Sequence, residues 1–313
     1  MKVIVTGGAG FIGSHVVEAL IKRGHEVVVF DDLSTGDIRN VPSGVALVRG
    51  DVSRPEELER VREHVRGEET AIAHLAALVS VPEAVERPTR AFEVNVLGTM
   101  NVMELARRLD SYVVIASSAA VYGDTPTLPV SESAPTRPLS TYGASKLAAE
   151  AVALAMARER GLSASALRLF NVYGPRMRPG PYAGVVLRFL TAALQGLTPE
   201  VYGDGMNTRD FVYVTDVAEA FALAIERRAV GVFNVGTGRE TSVLELLELI
   251  SRVTGVQMRP VFKPPRPGDI RRSVADVRLA REQLGWSPRV QLEEGLRLTY
   301  EWLRSSSPST RTS

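Results

Sequence analysis

The sequence contains no cysteine. Disulfides, thiolate-held metals and cysteine nucleophiles are thereby excluded, and a cytoplasmic setting is the simplest expectation. Charge of one sign is also lacking: 37 Lys and Arg against 36 Asp and Glu leave a formal net charge of +1 over 313 residues. A chain so balanced has no global field to gather nucleic acid or an anionic membrane, so neither is expected as a partner. Any anionic ligand has to be met by local groups. Lysine is scarce, present only at Lys2, Lys22, Lys146 and Lys263, and arginine supplies nearly all the cations. No uninterrupted apolar run reaches the length of about 18 residues that marks a membrane span. The opening MKVIVTGGAG passes straight into a strand pattern, so no secretory leader is expected.

What the chain does have is alternation. Short β-branched runs at residues 3–5, 26–30, 46–48, 71–75 and 112–116 are separated by amphipathic stretches near 11–23, 55–65 and 94–109. Strands buried on both faces of a parallel sheet read as continuous apolar runs of this kind, and the helices between them supply the crossovers. The fold class expected is α/β, a doubly wound parallel sheet. The alternation breaks after about Asn171, where Pro175, Pro179, Gly180 and Pro181 mark a long loop. A smaller second lobe is expected to begin there. Residues 231–236 still read as a sheet strand, so the chain is expected to cross the boundary more than once. The tail, residues 305–313, reads as disordered.

Gly7-Gly8-Ala9-Gly10-Phe11-Ile12-Gly13 follows the first strand and opens the first helix. Glycine permits the tight turn, lets the backbone approach a pyrophosphate and lets the helix sit close on the sheet, while the helix N-terminus faces the anion. A lone glycine triplet is a weak signal. Here the second strand ends at Phe30-Asp31-Asp32, with Asp31 standing 18 residues after Gly13, where a carboxylate can accept from the adenosine ribose hydroxyls. That combination is strong. A carboxylate there repels a 2′-phosphate, which favours NAD over NADP.

A further strand ends in Ser117-Ser118-Ala119-Ala120-Val121-Tyr122-Gly123, and Tyr142-Gly-Ala-Ser-Lys146 follows on an alanine-rich helix. The i,i+4 spacing puts Tyr142 and Lys146 on one helix face. A tyrosine with a pKa of about 10 is a poor base at neutral pH, but a neighbouring ammonium and an oxidised nicotinamide both favour the phenolate. Tyr142 can then take a proton from a substrate hydroxyl while hydride leaves the same carbon. Ser118, at the carboxyl end of its strand, is placed to hydrogen-bond that oxygen. Tyr122 is expected to pack rather than to move protons. By itself Tyr-x-x-x-Lys often marks only a surface pair; after a glycine turn and a serine-rich strand end it marks a candidate centre.

Together these residues resemble the extended short-chain dehydrogenase/reductases, and among them the nucleotide-sugar epimerase and dehydratase branch, from Met1 to about Trp302. The likeness also takes in Asp51-Val52, His74-Leu75-Ala76-Ala77, Asn95-x-x-Gly98-Thr99, the run from Leu169 through Asn171 to Arg176, Arg209-Asp210, Asn234-Val-Gly-Thr-Gly238 and Arg266-Pro-Gly-Asp269. It implies an NAD-binding Rossmann domain over residues 1–171, with returning segments near 208–236, and a mainly substrate-binding lobe over 172–313. It further implies NAD held by Gly7, Gly10, Phe11, Ile12, Gly13, Asp31, Asp32, Asp51, Val52, Leu75, Ala76, Ala77, Asn95, Ser117, Tyr142 and Lys146. A UDP-sugar would be met by Ser118, Tyr142, Asn171, Val185, Arg209, Arg266, Asp269 and Ser273, with no metal and with a homodimer as the working form. Two arginines suit a diphosphate because each guanidinium fork can engage phosphate oxygens in pairs.

The reaction is indicated mainly by what is missing. Sugar 4,6-dehydratases of this branch typically carry an acid pair directly after the catalytic Ser or Thr, and the decarboxylases a Glu at the second of those places. Here the two places hold Ala119 and Ala120. Alcohol oxidation and its reversal remain, which implies a UDP-hexose 4-epimerase interconverting UDP-glucose and UDP-galactose. Ser273, at the place that lines the sugar's C2 substituent, is small, which implies room for UDP-N-acetylglucosamine. Two places depart from some 4-epimerases: Val79 stands for a lysine at the cofactor phosphates, and Gly184-Val185 for an asparagine near the substrate phosphates. A net dehydrogenase or keto-sugar reductase, which must exchange its cofactor, stays open as an alternative, as does a non-catalytic sensor on the same fold.

Overall fold

The computed structural model describes residues 1–178, 180, 183–265 and 268–306. The first half alternates: β1 (Lys2–Thr6), α1 (Phe11–Lys22), β2 (Glu26–Asp31), β3 (Ala46–Arg49), α2 (Pro55–Leu58), β4 (Thr70–His74), α3 (Val81–Glu86), α4 (Pro88–Phe92), α5 (Gly98–Leu109), β5 (Tyr112–Ser118), α6 (Thr141–Arg160) and β6 (Ala164–Leu169). Shorter and less regular elements follow: β7 (Asn171–Tyr173), α7 (Val185–Gln195), β8 (Glu200–Tyr202), β9 (Thr208–Arg209), β10 (Phe211–Tyr213), α8 (Val214–Arg227), β11 (Gly231–Val235), β12 (Thr241–Ser242), α9 (Val243–Thr254), β13 (Val261–Lys263) and α10 (Leu292–Ser306).

Seven strands form one sheet in the order β11-β6-β5-β4-β1-β2-β3, and every neighbouring pair is parallel. Parallel neighbours need a crossover rather than a hairpin, so all seven carboxyl ends lie along one edge. The order reverses around β1, which lies between β4 and β2, and ligands of such sheets collect in the crevice at that point. Successive side chains of a strand point to opposite faces. Val3 and Val5 accordingly join one apolar cluster with Leu20, Phe221 and Trp286, while Ile4 joins another with Phe30, Ile72 and Met103. Each such fully buried side chain contributes roughly 1.5–3 kcal/mol.

A third apolar cluster draws Leu187 and Leu190 of α7, Leu246 and Ile250 of α9, and Leu296 and Leu303 of α10 around Tyr173 and Tyr213. Three two-stranded pairs, β10 with β7, β12 with β9 and β13 with β8, brace this assembly. The chain returns to the large sheet with β11, which pairs with β6. Two expected helices are shorter than their sequence pattern. The stretch 55–65 is α-helical only over α2 and tightens into a 3₁₀ turn at Glu59–His64. The stretch 94–109 begins as a wide π turn at Glu93–Leu97, a feature often found at functional sites, before α5. Ser305 and Ser306 belong to α10; the rest of the expected disordered tail lies outside the described residues. Among the described residues no helix is long and apolar enough to cross a membrane.

Candidate active site

The glycine turn lies against the loop that leaves β4. Gly7 has φ +71°, and a Cβ on it would stand 2.7 Å from the Ala76 nitrogen. A Cβ on Gly13 would stand 2.0 Å from the Gly7 carbonyl oxygen, so neither position accepts a side chain without the backbone moving. Leu75 and Ala76 donate their N–H groups to Thr6, to its carbonyl at 3.0 Å and its hydroxyl at 3.3 Å, which holds the Leu75–Ala77 stretch over the turn. Helix α1 starts at Gly10 with no side-chain cap and no acid in its first turn. Its first N–H groups, with those of Phe11 and Ile12 among them, are left to an anion.

Asp31 closes β2 beside this turn. It is buried, and its two oxygens accept from Ala9 N at 2.9 Å and Leu33 N at 2.8 Å. Burial pushes its carboxyl above the usual range, and those two N–H groups pull it back. Each oxygen keeps a further lone pair for a ribose hydroxyl. Asp32 accepts from the Ser34 amide and hydroxyl. A groove of about 470 Å³ continues outward, lined by Asp32, Arg49, Gly50, Asp51, Glu57 and Arg60. Burial opposes ionisation of Asp51, but bonds from Ser53 and Arg90 outweigh it and hold the carboxyl below its usual value. Val52 is buried beside it, its carbonyl accepting from Asn101 at 2.9 Å. Asn95 gives its amide to the protein: Oδ1 accepts from Leu78 N at 2.8 Å, and Nδ2 donates to Leu78 O at 3.1 Å and Ser145 Oγ at 2.8 Å. The π turn thus ties the loop after β4 to helix α6.

Ser118 ends β5, and its hydroxyl accepts from Ala120 N at 3.2 Å, turning the chain through Ala119–Val121. Ser140 caps α6 by accepting from Gly143 N at 3.0 Å. A Cβ on Gly143 would lie 2.7 Å from the Ala120 carbonyl oxygen, so the first turn of α6 rests directly on the end of β5. Tyr142 lies on that turn and Lys146 one turn further, buried. Burial pushes the Tyr142 phenol above its ordinary value, and the Ser118 hydroxyl against it pulls the other way. With burial the larger effect, Tyr142 rests as the neutral phenol in the chain alone. Burial also lowers Lys146, to about 8, against the pull of Glu150. Ser117 turns away from the site, donating to Glu150 Oε2 at 2.6 Å, so only its main chain can serve a cofactor. Tyr122 is buried, its hydroxyl bonded to Asn234 and Arg168.

Among the residues read as substrate ligands, Asn171 is exposed at the start of β7, its N–H donating to Asp210 O at 2.9 Å. Arg209 and Asp269, read as ligands of different parts of a substrate, are brought together. Arg209 Nη1 donates to the carbonyls of Thr208 and Ile270, both at 2.7 Å, and Nη2 donates to Asp269 Oδ1 at 2.5 Å. Asp269 Oδ2 accepts from Asn207 at 2.8 Å. Of the five guanidinium hydrogens, that on Nε and one on Nη2 lie outside these bonds. Val185 opens α7 half-buried, and Ser273 is also half-buried. Arg266 lies outside the described residues.

No role was expected for three residues beneath the site, of which Asp210 stood only within the Arg209-Asp210 motif. Asp210 is wholly buried and accepts from the Thr237 amide and hydroxyl, Gly238 N and Ala275 N, so the Asn234–Gly238 motif is a turn folded around it. Glu150 and Arg168 form a buried ion pair behind Ser117. A charge inside the apolar run Ala-Ser-Ala-Leu-Arg-Leu of β6 was the available signal.

The chain belongs to the nucleotide-sugar branch of the extended short-chain dehydrogenase/reductases: the family profile described as GDP-mannose 4,6 dehydratase matches residues 4–299. It is 43% identical over 316 residues to a UDP-glucose 4-epimerase of Mycolicibacterium smegmatis, covering 98% of this chain and 100% of that one. Its structure resembles that of a UDP-glucose 4-epimerase from Thermotoga maritima with UDP-glucose, with a TM-score of 0.93, 41% identity and coverage of 97% and 99% of the two chains. It also resembles the UDP-glucose 4-epimerase of Thermus thermophilus in complex with NAD, with a TM-score of 0.91, 43% identity and coverage of 98% and 100%.

If Tyr142 is the proton acceptor, Tyr142→Phe should lower kcat on UDP-galactose by about 10²–10⁴ while nucleotide affinity, read by calorimetry, stays near wild type. Turnover above about a tenth of wild type would remove the role.

Proposed function

We propose that the chain is a UDP-glucose 4-epimerase, inverting C4 to interconvert UDP-glucose and UDP-galactose. One observation carries this reading: Ser118, Tyr142 and Lys146 are intact, and Ser118 is followed directly by Ala119 and Ala120. Expelling the 6-hydroxyl needs an acid and removing the C5 proton needs a base; two methyl groups supply neither. The family's dehydratase name therefore does not carry its reaction to this chain.

NAD is the cofactor, and when bound it would supply a hydride acceptor and donor for C4. The glycine turn, the free N-terminus of α1 and Asp31 would hold it, and a 2′-phosphate would meet the Asp31 carboxylate. Tyr142 takes the 4-hydroxyl proton and later returns it, and Ser118 holds the same oxygen. Because burial keeps the phenol neutral in the chain alone, proton removal depends on positive charge nearby, and Lys146 is the protein's share of it. The two guanidinium hydrogens of Arg209 that lie outside its protein bonds suit the diphosphate, with Asn171 and Arg266 as its further ligands and Asp269 at the nucleotide ribose. Anchored there, the sugar can turn over at the 4-keto stage without leaving. We assign cofactor binding to residues 1–171 and the segments near 208–236, and substrate binding mainly to 172–313. Small Ser273 leaves space for a C2 acetamido group, extending the substrates to UDP-N-acetylglucosamine.

A second copy of the chain is the proposed partner. Phe92, Leu97 and Met100, at the end of α4, the end of the π turn and the start of α5, are 41%, 42% and 40% exposed, apolar surface of the kind that protein contacts cover.

Purified protein given UDP-galactose and no added NAD is expected to form UDP-glucose over many turnovers, and to act on UDP-N-acetylglucosamine too. Protein stripped of cofactor should regain activity with NAD and not with NADP. Consumption of added NAD in step with substrate, without C4 inversion, would show a net dehydrogenase instead. Sedimentation equilibrium at micromolar concentration should give twice the mass of one chain, and Met100→Lys should shift it toward one; a wild-type monomer would dismiss the dimer.

A further inference from the structure

Behind the reaction centre lies a second, wholly internal set of polar side chains. Glu150 and Arg168 have side chains 5% and 7% exposed and are joined twice, Arg168 Nη2 to Oε1 at 2.6 Å and Nε to Oε2 at 3.0 Å. Oε2 also accepts from Ser117 Oγ at 2.6 Å. Arg168 Nη1 donates to the Tyr122 hydroxyl at 2.9 Å and to Glu132 O at 3.0 Å. Tyr122 donates onward to Asn234 Oδ1 at 2.6 Å, and Asn234 Nδ2 reaches Val130 O at 2.8 Å and Asp276 O at 3.2 Å. The network therefore runs from α6 through β5 and β6 to β11.

Burial of an ion pair is not by itself a reason to keep one, because well-packed apolar groups of similar volume often serve stability as well or better. Location is what distinguishes this pair. Tyr142, Lys146 and Glu150 recur every four residues, so they form one stripe on α6. Ser117, held by Glu150, immediately precedes Ser118. Glu150 thus joins the two elements that carry the three reacting side chains, and Arg168 holds it from β6.

We infer that Glu150, clamped by Arg168, is a positioning residue of the centre: it fixes the Ser117–Ser118 end of β5 against the Tyr142–Lys146 face of α6 and keeps a carboxylate one turn from the buried ammonium. This rests on the reading of Tyr142 and Lys146 as the proton-transfer pair. The groups around Lys146 support it. The titratable groups that interact with its charge are Glu150 on α6 and His74 on β4, with the Arg168 guanidinium of β6 held against Glu150. The His74 imidazole is hydrogen-bonded to Thr6 and Thr99, and burial first, then Lys146, lowers its pKa to about 3, so it is neutral at working pH. Burial favours neutral lysine, and Glu150 is the carboxylate that opposes it. The charged form of Lys146 is present below its pKa and lost as pH rises through it, so removing Glu150 should bring that loss to lower pH.

In Glu150→Gln, kcat on UDP-galactose at neutral pH should fall about tenfold or more, with KM within about twofold, and the alkaline limb of the kcat profile should move about one unit toward acid. Glu150→Asp, which keeps the charge, should keep the limb near its wild-type position. Because a lone Arg168 could unfold the single variant, Glu150→Gln with Arg168→Met removes both charges; thermal melting should show it folded, with the limb still displaced. A folded double variant with wild-type kcat and an unmoved limb would overturn the proposal. Wild-type turnover in Tyr142→Phe would overturn instead the reading on which it rests.

Discussion

Seven strands that all run in one direction leave their carboxyl ends on a single edge, and every candidate functional group of the first half depends on that constraint. The glycine turn follows β1, Asp31 ends β2, the Leu75–Ala77 loop leaves β4 and Ser118 ends β5. None of these segments is near the others in sequence. Parallel pairing puts them side by side, and close approaches at Gly7, Gly13 and Gly143 bring the backbone to separations that a Cβ would forbid.

Charge is used sparingly within this frame. Asp31, Lys146, Glu150, Arg168 and Asp210 are all buried, and each of the four other than Lys146 is bonded to protein donors or acceptors. Lys146 is drawn toward neutrality by burial and toward its charged form by Glu150, and it stands one helical turn from Tyr142. Burial acts on both groups in the same sense, toward neutrality.

Much of the fold was legible because buried parallel strands leave continuous apolar runs, and the five expected in the first half lie within or across the ends of β1 to β5. The glycine turn, Ser118, Tyr142 and Lys146 were legible because their chemistry requires particular residues at short, fixed spacings. The second half was opaque for the converse reason: β9 and β12 have two residues each, too few for any period. The Arg209–Asp269 pair spans 60 residues, and no local pattern reports such a contact. Glu150 lies on an alanine-rich helix 18 residues from Arg168, and only the fold brings the two together.

The central claim is that one hydride leaves C4 and returns to C4 of the same sugar. UDP-galactose carrying deuterium at C4 tests it most directly, with product examined by mass spectrometry and NMR after many turnovers in ordinary water. The account predicts UDP-glucose with the label kept at C4 and no solvent hydrogen incorporated. Loss of the label to solvent, or its appearance in free reduced cofactor, would contradict it.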